Sequence, residues 1–233
     1  MNNTAYNGLP LPEVWPPKTT DPKSFQPMRV PYLETPPAVI PINVGRQLFV
    51  DDFLVEDSTM ARAFHRPVKH PGNPVFFPQS EAELGYRGRP PCVIAKCGGI
   101  WHDDKDNLFK MWYMASYLGH MAYAISADGV HWERPRLDVV PGTNLIMPHV
   151  ERPDSGTVWI DRLGPDPSRR YKAMIRRGDS PGLSESGLLM TSADGIHWTE
   201  PVPTGPMGDR STMFHNPFRN KWVHSIRSYH AFL

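Results

Sequence analysis

A ten-residue segment occurs twice in this chain, and it restricts the fold more than any other feature. Residues 126–135 read SADGVHWERP and residues 192–201 read SADGIHWTEP, so that seven of the ten positions are identical. Asp-Gly between two strands favours a tight turn, because glycine takes positive φ freely and aspartate tolerates it. The repetition predicts a structural hairpin that closes each of several similar units. Because His131 and His197 recur with that hairpin, we expect neither to bind metal or to act as an acid or base.

The sequence before each copy is repeated as well. Residues 98–135 read as four short strands, the last of them at 130–133, and residues 155–201 repeat that order. When the two units are aligned, Trp101-His-Asp103 matches Trp159-Ile-Asp161. Units of four short strands are typical of β-propeller blades. A β-sandwich would also have short strands, but it would not repeat the same four-strand order.

A third unit begins near residue 208. Residues 209–216 align with 154–161, and the segment from Trp222 to Arg227 aligns with the segment from Tyr171 to Arg176. The chain therefore contains about two and a half units. Because a propeller needs at least about four blades to close, we expect an incomplete ring, either part of a longer protein or a truncated reading frame.

Proline divides the chain into an arm and a domain. It accounts for 27 of the 233 residues, and ten of these prolines fall before residue 42. Such a composition favours an extended segment over a packed domain. We predict a Pro-rich arm over residues 1–44 and an all-β propeller domain over 45–233. Within that domain, blade 1 covers about 90–135, blade 2 about 153–201, and a partial blade 3 about 208–233.

Composition excludes several classes of partner. The chain has 25 Lys and Arg against 24 Asp and Glu, with no basic run, so neither nucleic acid nor an anionic membrane is expected. The apolar runs are too short to cross a bilayer. No signal peptide is visible, which makes a cytoplasmic location the default expectation. Nothing in the sequence indicates an oligomeric state.

The motifs of common cofactor sites are missing from the sequence. His102-Asp-Asp lacks a spaced His or Cys partner for zinc. No Gly-rich phosphate loop and no Gly-x-Ser-x-Gly elbow occurs. Cys92 and Cys97 are read as ordinary thiols, since five residues apart on one strand they would point to opposite faces. We therefore expect no metal and no cofactor.

The aligned units place two carboxylates at equivalent positions. Asp154 and Asp209 each come just before the innermost strand of successive blades, where residues far apart in sequence converge near the propeller axis. Glycoside hydrolysis needs two carboxyl groups across the scissile bond, one protonated and one ionised. The alternative is that both are solvated turn aspartates. By contrast, Asp103, Asp104 and Asp106 are predicted in a polar turn at the rim.

Two family resemblances add to this interpretation. The duplicated segment resembles the Asp-box of sialidase-type propellers, with one residue fewer between Asp and Gly. With VDDFLVED, NLFKMWYMAS, PDSGTVWID and GDRSTMFHNPFRNKWVHSIR, the chain from about residue 45 to 227 is similar to proteins of the five-bladed propeller glycosidase superfamily, related to glycoside hydrolase families 32, 43 and 68. The resemblance implies a five-bladed β-propeller and a carbohydrate substrate.

The resemblance also implies roles for individual residues. Members carry three acids on the inner strands of blades one to three. Asp154 matches the stabilising aspartate and Asp209 the general acid, whereas the first-blade position opposite Asp154 holds Lys96. The nucleophile or base is then sought at Asp51 or Asp52, of which Asp52 is the candidate, although an exposed turn would also explain this pair.

Three further side chains are candidates for substrate binding: Lys96, Arg210 and Trp159. Arg210 offers a fork of donors to a carboxylate or a sugar hydroxyl, or it pairs with Asp209 or Asp154. Trp159 offers a stacking face, but a tryptophan at a strand centre is more often part of the core. The expected function is hydrolysis of glycosidic bonds in an oligosaccharide or polysaccharide. The alternatives are a non-catalytic propeller that binds carbohydrate or protein, and an inactive truncated fragment.

Overall fold

The computed structural model describes residue 26 and residues 36–43, 48–178, 187–217 and 220–227. The predicted arm over residues 1–44 lies mostly outside these ranges. The chain divides into two compact units, residues 1–68 with 230–233, and residues 69–229. The described part of the first unit consists of turns and extended segments.

The second unit is built almost entirely of strands. A four-residue helix, α1 (Glu81–Leu84), precedes them, and a short 3-10 helix covers Pro167–Arg169. Within the described ranges, no helix combines the length and the apolar character that crossing a membrane requires. The strands are β1 (Val93–Asp103), β2 (Leu108–Ala115), β3 (His120–Ser126), β4 (Leu145–Ile146), β5 (Pro153–Ile160), β6 (Tyr171–Arg177), β7 (Gly187–Ser192), β8 (Val202–Gly205), β9 (Thr212–Asn216) and β10 (Lys221–Ser225).

Eight of these strands form one curled sheet with the order β4-β3-β2-β1-β5-β6-β7-β8. All neighbours are antiparallel except β1 and β5, which are parallel and paired at Cys97 and Thr157. The sheet therefore consists of two antiparallel meanders, β1–β4 and β5–β8, that are joined through their first strands. The remaining strands, β9 and β10, form a separate antiparallel pair.

The prediction of an all-β fold is confirmed. Each predicted unit contains three of the strands, and its fourth strand lies beyond the predicted end: β4 follows residue 135, and β8 follows residue 201. Residue Glu133 forms only a single bridge with Ile125, and the fourth strand is β4, after a further turn. The chain leaves the hairpin at Trp132 and returns to the sheet edge a dozen residues later. The number of blades stays a prediction.

The described residues form three apolar layers. The layer between the two meanders includes Trp112, Tyr123, Val158 and Ile175, all buried. The outer face of the first meander carries a second layer around Tyr113. A third layer, around Met174, Met207 and Met213, lies between the second meander and the β9–β10 pair. Since β2 is buried on both faces, its continuous apolar sequence is that of a middle strand.

A buried glutamate anchors the segment that covers the outer face of the first meander. Glu83, in α1, is fully buried. Its carboxylate accepts hydrogen bonds from the Tyr113 hydroxyl at 2.6 Å and from Arg134 Nε at 2.7 Å. Main-chain N–H groups of Gln79 and Ser80 also donate to it. Because a buried charge is tolerated only when it is paired and hydrogen-bonded, this set of donors holds α1 on β2.

The duplicated segments form identical hairpin turns. In the first hairpin turn (residues 126–132), Ser126 Oγ accepts hydrogen bonds from the N–H groups of Asp128 and Gly129, at 3.2 and 2.9 Å. Asp128 Oδ1 accepts two more, at 2.8 Å each, from the two residues after the glycine. The indole of Trp132 donates to the Gly129 carbonyl at 3.1 Å.

The second hairpin turn (residues 192–198) repeats every one of these bonds. Ser192 Oγ accepts at 3.2 and 2.9 Å, Asp194 Oδ1 accepts twice at 2.8 Å, and the Trp198 indole donates at 3.0 Å. The predicted structural role of the duplicated segment is thus confirmed, including the bonds from turn N–H groups to the aspartate carboxylates.

An Asp–Lys pair occurs at the same place in each of the two meanders. Lys110 Nζ lies 2.8 Å from Asp103 Oδ2, and Lys172 Nζ lies 2.6 Å from Asp161 Oδ2. The two pairs occupy equivalent positions, at the end of the first strand and near the start of the second. The repeat is therefore present in polar contacts as well as in strand order.

Candidate active site

The candidate site lies where the first strands of the two meanders and the approach to β9 lie side by side. We call it the inner-strand cluster and define it by Lys96, Asp154, Arg176, Asp209, Arg210 and Arg227. Two side-chain contacts align β9 with β5: the N–H of Arg210 donates to Ser155 Oγ at 2.9 Å, and the N–H of Met213 donates to Thr157 Oγ1 at 3.1 Å. The approach to β9 therefore lies beside β5, and the convergence of inner strands at a propeller axis stays a prediction.

Asp154 is the second residue of β5 and is partly exposed. Its Oδ2 atom lies 2.5 Å from Nη1 of Arg176, which is on the neighbouring strand β6. Arg176 also donates through Nε to the carbonyl oxygen of Met207 at 3.0 Å. Since Met207 lies two residues before Asp209, one guanidinium connects the Asp154 carboxylate to the approach to β9.

Asp209 has a matching partner. Its carboxylate forms an ion pair with Arg227, which follows β10. The main chain of Arg227 is fixed by an N–H bond to Ser211 Oγ at 3.0 Å and by a carbonyl that accepts from Gly208 at 2.9 Å. The sequence alignment matches Arg227 with Arg176, so both Asp–Arg pairs occupy equivalent positions in successive units. The sequence prediction included neither arginine partner, although the alignment contained both.

Lys96 lies in β1, in the irregular stretch between Ala95 and Ile100. The strand registers match Ala95, and not Lys96, with the part of β5 next to Asp154, because Ala95 pairs with Tyr113 as Gly156 pairs with Ile175. Lys96 is only 5% exposed, and its Nζ donates to the main-chain carbonyl of Asp154. Burial lowers the pKa of Lys96 to about 8; nearby Asp154 acts to raise it and nearby Arg210 to lower it.

Arg210 is exposed and adopts φ +61°. Residues other than glycine occupy this left-handed region at a cost of about 1 kcal/mol or more, and they cluster at functional sites. The N–H bond from Arg210 to Ser155 holds the strained main chain in place. Arg210, the residue after Asp209, therefore contacts Ser155, the residue after Asp154.

The other two predicted site residues lie elsewhere. Trp159 is five residues along β5 from Asp154, roughly 16 Å at 3.3 Å per residue, and its ring packs edge-on against Trp101 and Trp222 with centroids 4.8 and 6.2 Å apart. Asp52 belongs to the first compact unit, where its exposed carboxylate lies 2.5 Å from Arg62. The roles predicted for Trp159 and Asp52 stay predictions.

Asp103 was predicted in a polar turn at the rim, and this prediction is wrong. Its side chain is fully buried, with Lys110 at 2.8 Å, Arg170 at 2.5 Å and the Tyr171 hydroxyl in hydrogen-bond contact. Although burial raises the pKa of Asp103, the hydrogen bonds from Lys110 and Tyr171 lower it far below its ordinary value. Because Arg170 and Tyr171 belong to the second meander, this ion network joins the two meanders.

The described residues contain other features that bear on chemistry. Among them, no group of three or more His, Cys, Asp or Glu side chains is arranged to hold a metal ion. Cys92 and Cys97 are free thiols. A cavity of about 470 Å³ opens between α1 and β4 and is lined in part by Tyr86, His120 and Arg136. That cavity is separate from the inner-strand cluster.

Comparison with known proteins finds no family model that matches the sequence and no match among curated proteins. Among solved structures, the chain is similar to an N-acetylgalactosamine deacetylase from F. plautii, determined in complex with blood group B trisaccharide. The identity is 20% and the TM-score 0.36, over 56% of this chain and 38% of that chain. The chain thus spans well under half of the deacetylase, and the likeness is too weak to establish a common fold.

Proposed function

We propose that this chain is a glycoside-hydrolase-like β-propeller protein whose active site is the inner-strand cluster. The observation that carries the proposal is the equivalence of Asp154 and Asp209. Asp154 lies at the start of β5 and Asp209 lies three residues before β9, and each is held by an arginine, Arg176 in β6 and Arg227 just after β10. The resemblance to five-bladed propeller glycosidases, which place their acids at these positions, supports the same assignment.

The chemistry follows from the surroundings of each carboxylate. Cleavage of a glycosidic bond develops positive charge at the anomeric carbon and requires a proton on the leaving oxygen. Asp154, which is held by Arg176 through one oxygen and is only partly exposed, is the residue of this proposal that stabilises the positive charge. Asp209 is more exposed, so that substrate reaches it readily, and it is the general acid of this proposal.

A second candidate function is binding of carbohydrate without cleavage. It is favoured by the first meander, since the residue whose register matches the part of β5 next to Asp154 is Ala95, which has no carboxylate. It is also favoured by the arginine partners, because a guanidinium that faces a carboxylate opposes its protonation. Under this alternative, the same cluster recognises a sugar but lacks a proton donor and a nucleophile.

The two candidates differ in turnover. We would assay the full chain for release of reducing ends from a panel of oligosaccharides and polysaccharides, together with Asp154→Asn and Asp209→Asn. The matched control is Asp104→Asn, which removes an exposed carboxylate that also pairs with an arginine, Arg162. The proposal predicts that turnover is at least about a hundredfold slower in both cluster variants. Turnover of the control variant should equal that of the wild type. Unchanged turnover in both cluster variants would refute the assignment, and binding without any turnover would favour the second candidate.

A further inference from the structure

A histidine and a methionine are in contact between the second meander and the β9–β10 pair. Nδ1 of His224, in β10, lies 3.3 Å from Sδ of Met174, in β6. Within the described ranges, this sulfur is the only protein group in hydrogen-bond contact with the His224 ring. Because a thioether is a weak hydrogen-bond acceptor, a hydrogen bond alone accounts poorly for an imidazole nitrogen placed against it.

Further thioethers belong to the same layer. Met174, Met207 and Met213 form one buried apolar cluster. Met213 is directly opposite His224 in the β9–β10 pair, and opposite residues share one face of a sheet, with Cβ atoms about 4.5–5.5 Å apart. The Met213 N–H also donates to Thr157 Oγ1 at 3.1 Å, and Thr157 is directly opposite Met174 in the β5–β6 pair. Strand register and contacts therefore place Met174, Met213 and His224 together.

The donor atoms at this place are those that soft metal ions prefer. Thioether sulfur selects Cu(I) among biological metal ions, and imidazole nitrogen also binds copper. The residues that form and surround the buried cluster are methionine, leucine and tryptophan. Their side chains offer none of the oxygen ligands that Mg²⁺ and Ca²⁺ require. The donor set therefore favours a soft ion over a hard one.

The separation of nitrogen and sulfur fits two ligands of one small ion. Zn²⁺, whose filled d shell it shares with Cu(I), lies about 2.0 Å from a histidine nitrogen and about 2.3 Å from a sulfur. At a tetrahedral angle these lengths put the two ligand atoms about 3.5 Å apart. The observed 3.3 Å between His224 and Met174 is therefore shorter by only about 0.2 Å. Because His224 is exposed, an ion can reach the site from solvent on that side.

We propose that Met174, Met213 and His224 form a binding site for Cu(I). The inference goes beyond the proposed function and does not depend on it, since none of these residues belongs to the inner-strand cluster. Bound Cu(I) joins β6 to both strands of the β9–β10 pair. It therefore stabilises the folded chain by mass action.

The test titrates the full chain with Ag(I), a redox-stable soft ion with the same preference for sulfur. Methionine labelled with ¹³C at its methyl group lets NMR follow each thioether separately, and isothermal titration calorimetry gives the dissociation constant. Cys92 and Cys97 are free thiols, which also bind soft ions. Both the wild type and the double variant Cys92→Ser with Cys97→Ser are therefore titrated.

Two variants remove ligands, and two serve as matched controls. His224→Gln removes the imidazole, and Met174→Leu removes a thioether at nearly constant volume. The controls are His215→Gln, at a histidine of β9, and Met190→Leu, at a buried methionine in the layer between the meanders. If Met174→Leu does not fold, the exposed His224 decides the question alone.

The proposal predicts that the first equivalent of Ag(I) bound by the double variant shifts the methyl resonances of Met174 and Met213, but not that of Met190. His224→Gln and Met174→Leu weaken binding at least about tenfold, because even residues that only orient a metal ligand contribute about 10–100-fold to affinity. Both controls bind as tightly as the parent chain. Methyl resonances of Met174 and Met213 that stay unshifted in excess Ag(I) overturn the inference. An unchanged dissociation constant in His224→Gln also overturns it.

Discussion

The indole nitrogen of Trp112 donates a 2.7 Å hydrogen bond to the carbonyl oxygen of Gly195. Trp112 lies on β2 in the first meander, and Gly195 lies in the turn that closes the second meander. The same oxygen accepts the indole N–H of Trp198 at 3.0 Å. The second hairpin turn is therefore a contact between meanders as well as a local turn.

Replacement of Gly195 by alanine tests this contact. Gly195 has φ +83°, and an added Cβ would lie 2.6 Å from Cζ2 of Trp112. The backbone conformation costs a residue with a Cβ about 1–2 kcal/mol, and overpacking adds about 1–3 kcal/mol. We expect Gly195→Ala to lower the free energy of unfolding by about 3 kcal/mol, measured by urea denaturation.

Gly129→Ala is the matched control for this prediction. Gly129 has φ +76° at the equivalent position of the first hairpin turn, but its added Cβ would approach Phe109 no closer than 3.7 Å. Only the backbone cost of about 1–2 kcal/mol should remain. If both variants lost the same stability, the contact between Trp112 and the second turn would not matter energetically.

A second prediction concerns the buried ion network. Asp103→Asn removes the buried charge that Lys110 and Arg170 share, and leaves each of them paired only with an exposed carboxylate, Asp106 for Lys110 and Asp104 for Arg170. Breaking a buried ion pair in this way costs about 3–5 kcal/mol. We expect a loss of that size in the free energy of unfolding, whereas the exposed neighbour Asp104→Asn should have little effect. Similar stabilities of the two variants would show that Asp103 does not hold the meanders together.

A third prediction concerns the pH dependence of His197. Its Nδ1 atom lies 2.7 Å from Asp194, and its Nε2 atom lies 3.0 Å from Asp138. The hydrogen bond to Asp194 raises the pKa of His197, and Asp138 raises it further. The protonated imidazole therefore stabilises the fold fully below the ordinary histidine pKa of about 6.5, and this contribution disappears as the pH rises through the raised pKa.

NMR titration of the imidazole resonances would measure that pKa. The expected value in the wild type is above the ordinary histidine value, with a decrease in Asp138→Asn and a larger decrease in Asp194→Asn. Asp138 is a useful variant because it is exposed and lies outside the turn itself. A His197 pKa that is unchanged by both substitutions would contradict the two-carboxylate arrangement.

The repeated sequence predicted the elements that depend on local chemistry. Ser, Asp, Gly and Trp at fixed spacing specify each hairpin turn, because all of their bonds form within seven residues. The alignment of units also matched Arg176 with Arg227, the two residues that pair with Asp154 and Asp209. This match depends on the order of strands, which the sequence repeats.

Contacts between distant segments were not predictable in this way. Asp103 looks like an exposed turn residue, and its burial arises from Arg170 and Tyr171, more than sixty residues later in the chain. Glu83 lies in a helix of only four residues, which is too short for a hydrophobic period. The strand β4 was missed because two residues, Leu145 and Ile146, give no alternating pattern.

The central claim is that carbohydrate binds at the inner-strand cluster and not at the duplicated hairpin turns. Hydrogen–deuterium exchange of the full chain, with and without a saturating oligosaccharide that binds it, tests this most directly. The account predicts slower exchange at residues 93–97, 153–156 and 207–211, with no change at 126–132 and 192–198. Slower exchange confined to the hairpin turns, with none at Asp154 or Arg210, would contradict it.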